Sequence, residues 1–160
     1  MALDKVREYL KKWNKDKEIR EFDVSSATVE LAEQALQCAP ERIAKTLSFK
    51  VDDSCVLIVT SGDAKVDNAK FKGLFKTKAT MLAPGEVLEL VGHAVGGVCP
   101  FGVNDNVRVY MDISLKRFDT VFPACGSSNS VIELTPDELE KYSNSLEWID
   151  VCKGWQENEN

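Results

Sequence analysis

Leu3, Val6, Leu10 and Trp13 recur at helical spacing with lysines between them, a pattern that predicts an amphipathic helix over residues 2–14. Ile19 to Val24 reads as a short strand. Ser25, Ser26 and Thr28 are N-cap residue types ahead of a second helix carrying Val29, Leu31, Ala32, Ala35 and Leu36, which must end before Pro40. Residues 46–51 and 55–60 read as strands separated by Asp52, Asp53 and Ser54, a hairpin signal. A helix follows over 66–75, then a weak strand at 80–82 and a helix over 84–91 with Pro84 in its first turn.

Past a glycine-rich stretch, the pattern gives a strand at 107–111, a short helix at 112–118 and strands at 120–124 and 130–134. Thr135-Pro136-Asp137-Glu138 is a capping box with proline at the first helical position. A strand at 148–151 closes the pattern, with no internal repeat and no linker. Hairpins among helices give an α+β chain with substantial antiparallel pairing.

The 160 residues, 44% hydrophobic and 29% charged, suit one globular domain over 1–152 with a polar tail at 153–160. No segment approaches the roughly 18 apolar residues of a membrane span, and the start lacks a signal-peptide apolar block. The expectation is a cytoplasmic protein without a membrane partner. Cys38, Cys55, Cys99, Cys125 and Cys152 form no CxxC, and His93 is the only histidine, so neither a metal site nor a cofactor is expected.

The net charge of −6 sits entirely in residues 133–160, leaving the first 132 residues neutral. Within them Lys65, Lys70, Lys72, Lys76 and Lys78 face Asp67 alone. That local excess reads either as a phosphate-facing patch or as a solvated helix face.

Three features point to chemistry. Period-two alternation places Lys45 at the head of the row Leu47, Phe49 and Val51, where an unpaired ammonium is costly. It either snorkels to water or projects into a pocket. Residues 92–102 (Gly92-His93-Ala94-Val95-Gly96-Gly97-Val98-Cys99-Pro100-Phe101-Gly102) hold four of nine glycines. Such a loop brings backbone N–H groups to a ligand, or is a tight crossover; it matches neither nucleotide fingerprint. Cys125-Gly126-Ser127-Ser128-Asn129-Ser130 is a small polar loop between strands. His93 and Cys99 also admit a nucleophile–base pair, with no carboxylate evident to orient the histidine.

Together these residues resemble the YbaK/EbsC family, related to the editing domain inserted in bacterial prolyl-tRNA synthetases. The likeness rests on Pro40-Glu41-Arg42-Ile43-Ala44-Lys45-Thr46-Leu47, on residues 95–102, and on residues 126–134. It implies a mixed, mostly antiparallel, barrel-like sheet flanked by helices. It implies deacylation of mischarged tRNA in trans, with tRNA as partner and a synthetase as a candidate second one. Lys45 matches the family's functional lysine, and the segment Gly96 to Pro100 its substrate loop.

The expected site is therefore Lys45, Gly96 and Gly97 at the chemistry. His93, Val98, Cys99, Pro100, Gly126, Ser127 and Ser128 are expected around the substrate, and the five lysines of 65–78 on the tRNA backbone. Backbone N–H groups of Gly96 and Gly97 would hold the ester carbonyl as it becomes an oxyanion. Val131 and His93 stand where the cysteine-removing branch has an aspartate and commonly a tyrosine, so that branch's substrate is not implied. Small amino acids (alanine, serine or cysteine) are expected, and a non-catalytic aminoacyl-tRNA or amino-acid binding module is the alternative.

Overall fold

The computed structural model describes residues 2–23, 29–94 and 96–155. Helix α1 (Ala2–Leu10) runs on as a 3-10 turn over Lys11–Trp13 and stops at Asn14, whose φ of 59° cannot continue it. Strand β1 is only Arg20–Glu21, and α2 spans Val29–Leu36. The capping residues expected for α2 (Ser25, Ser26 and Thr28) lie outside the described residues.

The centre is the hairpin of β2 (Ile43–Val51) and β3 (Ser54–Ser61). Val51 pairs with Ser54 across a two-residue turn in which Asp52 takes φ 55°, the left-handed geometry that aspartate tolerates in tight hairpins. Strand β4 (Lys65–Val66) and α3 (Asn68–Phe75) divide what the periodicity presents as one helix. The Asp67 carboxylate accepts from Ala69 and Lys70 N–H and so starts α3 at Asn68. Then come α4 (Pro84–Val91), β5 (Arg108–Asp112), a 3-10 turn over Ile113–Arg117, β6 (Phe122–Pro123), β7 (Ser130–Val131), α5 (Pro136–Ser143), β8 (Glu147–Ile149) and β9 (Cys152–Lys153).

The five-stranded sheet has the order β6-β2-β3-β5-β8. The hairpin is antiparallel, while β6, β5 and β8 each join in parallel. Bridges Val121↔Leu134 and Ala124↔Val131 carry pairing from β6 to β7, which pairs with β1. The sheet is thus mixed, in an α+β fold. Within it only the long β2–β3 hairpin is antiparallel, so the expected mostly antiparallel pairing holds only when the separate β1–β7 and β4–β9 pairs are included.

Strand β3 is buried on both faces, which is why its apolar run is nearly continuous rather than alternating. Cys55, Leu57 and Val59 face a core with Val6, Leu10, Val87, Val91 and Leu139 from α1, α4 and α5. Val56 and Ile58 face a second core with Phe49, Phe71 and Trp155. Ala32, Ile43, Phe122 and Val131 form a third at the β6 edge.

The chain end departs from the expected tail. Lys153 is in β9 paired with β4, and Trp155 is 8% exposed, so a polar tail starts no earlier than residue 156. Arg117 holds this end. Its guanidinium grips Asp63 at 2.7 and 3.1 Å, donates to Ser61 Oγ at 2.8 Å, and sits 5.0 Å from the Trp155 ring. Breaking such a screened ion pair leaves Asp63 without it, at a cost on the order of 2 kcal/mol. Urea denaturation of Arg117→Ala should show a lower midpoint, with β9 and Trp155 losing amide and fluorescence protection first.

Candidate active site

The outer edge of β2 is paired at both ends and open between them. Ile43 and Ala44 pair with β6. Farther along, Leu82 N–H donates to Ser48 O at 3.2 Å and Lys50 N–H to Thr80 O at 2.8 Å. Those bonds show that even-numbered residues turn their peptide groups outward, so the backbone of Thr46 faces the gap. Among the described residues no strand pairs with it there. A cavity of ≈ 440 Å³ occupies this gap, lined by Lys45, Thr46 and Ser48 of β2, by Leu82 and Val87, and by Gly96 and Val98 of the glycine loop. Its size is that of a small-molecule site.

Lys45 shares its strand face with Leu47 and Phe49, opposite Thr60 of β3. No carboxylate among the described residues lies within ion-pair distance of its ammonium. Loss of water lowers its pKa from the ordinary lysine value of 10.5 and Lys65 adds to that, while Cys152, Asp63 and Glu30 oppose it. A desolvated, unpaired cation at an apolar cavity is poised for an anion or a polarised carbonyl.

The glycine loop is held by backbone contact. A Cβ on Gly97 would lie 2.7 Å from the Gly126 carbonyl carbon and oxygen and 2.8 Å from Ser127 N. Only glycine allows the two loops to meet there. Gly126 itself has φ 94°.

The family model of the aminoacyl-tRNA editing domain matches residues 23–142. The chain belongs to that family. It is 55% identical over 157 residues to the uncharacterized protein YwhH of Bacillus subtilis (strain 168), covering 98% of this chain and 100% of that one. A proline–tRNA ligase of Geobacillus sp. (strain WCH70) is 35% identical over 102 residues, which are 63% of this chain and 18% of the ligase. The crystal structure of a candidate trans-editing enzyme for prolyl tRNA synthetase superimposes with a TM-score of 0.86 at 28% identity, over 96% of this chain and 98% of that one.

Within this editing domain, the cavity brings together Lys45, Gly96 and Val98, but several expected site residues stand elsewhere. His93 and Cys99 are 0% exposed and lie beneath the loop, not on the cavity wall. His93 Nε2 donates to Phe101 O at 2.8 Å, and Cys99 Sγ is 3.6 Å from the same nitrogen. Burial lowers the His93 pKa and pushes the Cys99 thiol up to about 12. A thiol protonated at neutral pH and closed to solvent is no nucleophile, which removes the cysteine-hydrolase reading. These two residues brace the loop from inside.

Pro100 is buried and faces the opposite groove near Trp13. Gly126 and Ser127 buttress Gly97 rather than line the cavity. The Ser127 hydroxyl is spent within its own turn, on Asn129 Oδ1 and Ser130 Oγ, and the exposed Ser128 is not on the cavity wall. The Gly97 N–H donates to Ala94 O at 3.1 Å, so it is not a free carbonyl donor and the expectation for it is corrected. The 65–78 lysines do not form one uniform patch: Lys70 is tied to Asp150 and to Cys152 O at 2.9 Å each, and Lys65 is in β4. Lys65, Lys72, Lys76 and Lys78 are exposed.

The residues missed on sequence are Thr46, Ser48, Leu82 and Val87. Alternation marks Thr46 and Ser48 as a polar face, and nothing local signals that a cavity lies against it.

Gly97→Ala should separate the two loops; amide exchange in 96–98 and 126–127 should accelerate together. Lys45→Met should raise the thermal midpoint by roughly 2–4 °C, the shift that about 1 kcal/mol produces in a domain of this size. A lowered folded-state pKa means that the unfolded chain binds the extra proton. The wild type therefore gains stability as pH rises through that lowered pKa toward 10.5, and its deficit against Lys45→Met should narrow over that window.

Proposed function

We propose that this chain hydrolyses the ester joining a small amino acid to a mischarged tRNA, acting in trans, with a proline tRNA as the carrier. The observation that carries the reading is the unpaired, desolvated Lys45 beside an apolar cavity walled by the glycine loop, in a chain of the editing-domain family. The proline ligase and the prolyl trans-editing candidate among its relatives support the choice of tRNA.

An aminoacyl ester is already reactive, so the site needs to position it and stabilise its carbonyl oxygen rather than supply a strong nucleophile. The Lys45 ammonium meets the substrate's negative charge, either the phosphate of the terminal adenosine or the ester oxygen as it becomes anionic. The loop backbone at Gly96 and Val98 borders the carbonyl. Water attacks the carbonyl carbon, the tetrahedral intermediate expels the ribose oxygen, and that oxygen takes a proton, leaving free amino acid and free tRNA. Selection is by size: the cavity admits a small side chain and excludes bulkier ones. Lys72, Lys76 and Lys78 contact the tRNA backbone, so affinity falls with added salt.

The test is deacylation of a panel of mischarged tRNAs by the wild type and by Lys45→Ala. One small aminoacyl-tRNA should turn over, and the variant should lose roughly 100-fold or more while keeping its fold. A folded Lys45→Ala with full activity removes Lys45 from the mechanism. No turnover across the panel with tRNA binding intact makes the chain a binding module.

A further inference from the structure

His93 and Phe101 bracket the segment that carries Gly96, Gly97 and Val98, and the 2.8 Å bond from His93 Nε2 to Phe101 O closes its base. A carbonyl oxygen only accepts, so Nε2 holds the ring proton and Nδ1 is the bare nitrogen. His93 is 0% exposed, and its Nδ1 has no hydrogen-bond partner. The loop is thus fastened by a neutral imidazole whose second nitrogen has no acceptor to receive a proton's N–H.

Protonating Nδ1 would leave a charged donor unsatisfied in a site without water. The titratable groups on the elements around it are Lys5 and Tyr9 of α1, Cys99 of the loop, Cys125 beyond Cys99, and Tyr142 of α5. Helix α4 turns Val87 and Val91 inward, while its Glu86 pairs with Lys50 and its Glu89 is exposed. Glu138 of α5 pairs with Lys15. No carboxylate among the described residues lies within ion-pair distance of His93. Cys99 Sγ lies 3.6 Å from Nε2, the nitrogen already engaged, and its thiol stays protonated. Burial lowers the His93 pKa from 6.5 and Lys5 adds to that, while the bond to Phe101 opposes it.

We propose that His93 is a positioning residue and a pH-sensitive latch: its neutral ring holds the glycine loop closed on the cavity, and its protonation in mild acid releases the loop and lowers turnover. The inference rests on the deacylase reading above for its activity arm and adds a control to that site. A released loop returns the ring to water and to its ordinary pKa of 6.5. The closed loop, with the lower value, is fully favoured above pH 6.5 and loses stability as pH falls from there through the lowered value.

The experiment has two arms on the full chain. His93 is the only histidine, so its imidazole resonances are unique. They are followed by NMR from neutral to mildly acidic pH, together with amide protection in 96–98 and 126–127 corrected for the intrinsic pH dependence of exchange. The ring should titrate with a midpoint below 6.5, and protection of these amides should fall over the same window while the β2–β3 hairpin keeps its own. A ring that titrates at 6.5 or above, one that stays neutral until the whole domain unfolds, or loop protection unmoved across the titration overturns the proposal. The second arm compares the wild type with His93→Gln, which keeps a neutral donor for the Phe101 carbonyl and cannot titrate. Wild-type kcat/KM on a small aminoacyl-tRNA should fall roughly tenfold per pH unit below the His93 midpoint, and His93→Gln should lack that limb. Ionisation of the substrate's own α-amino group persists in the variant and cannot imitate this result. A purely structural His93 would leave the shape of the profile in place, so an unchanged acid limb in folded His93→Gln also overturns the proposal. If the wild type turns over no aminoacyl-tRNA, the deacylase reading fails by itself, and the NMR arm decides the latch.

Discussion

Strand β3 has no face toward water, and that constraint organises the rest of the molecule. Seven consecutive residues from Cys55 to Ser61 are buried, so both sides of the strand must be covered by other elements. Helices α1, α4 and α5 cover one side; α3 and the chain end at Trp155 cover the other. The hairpin then leaves β2 with one side committed to β3 and one edge to be managed. An unpaired edge is a liability, and here it is closed at its ends by β6 and by the segment around Met81. What remains open in the middle is the cavity.

The site is built where the fold stops satisfying its own polar groups. Lys45 lacks a carboxylate partner, Thr46 lacks one for its hydroxyl, and the Thr46 peptide faces a gap. Each of these costs stability. Away from the cavity, His93 Nδ1 and Trp155 Nε1 are also buried without a hydrogen bond, but other buried groups are closed into networks. Asp112, 0% exposed, accepts from Ser114 and Val151 N–H, and Arg42 reaches Thr120 and Glu133 to anchor the start of β2. Those closed networks contrast with the open edge of β2 at the candidate site.

The glycine loop shows how a motif can divide into unlike roles. Gly96 and Val98 face the cavity, whereas Gly97 is needed because its Cα lies against the Gly126 carbonyl. His93, Cys99 and Pro100 belong to the same run of sequence yet point inward or to another groove. Adjacency in the chain placed them in one expected site, and burial placed them in the loop's support.

The sequence by itself determined the helices of α1, α4 and α5, the central hairpin with its Asp52-Asp53 turn, and the anomaly of Lys45 on an apolar row. Each of these is written in local patterns: a 3.6 or 2.0 residue period, a capping box, a turn residue that tolerates positive φ. It also carried the family likeness, which depends on motifs in order. Only the tertiary structure decided which polar residues face the cavity, that α3 starts at Asn68 rather than 66, and that the chain end packs through Trp155. The parallel joining of β6 and β5 to the hairpin, and of β8 to β5, likewise has no local signature. The reason is that a cavity, a parallel crossover and a buried thiol depend on residues far apart in sequence. Thr46 and Ser48 read as an ordinary polar strand face until Leu82, Val87 and Val98 close over them.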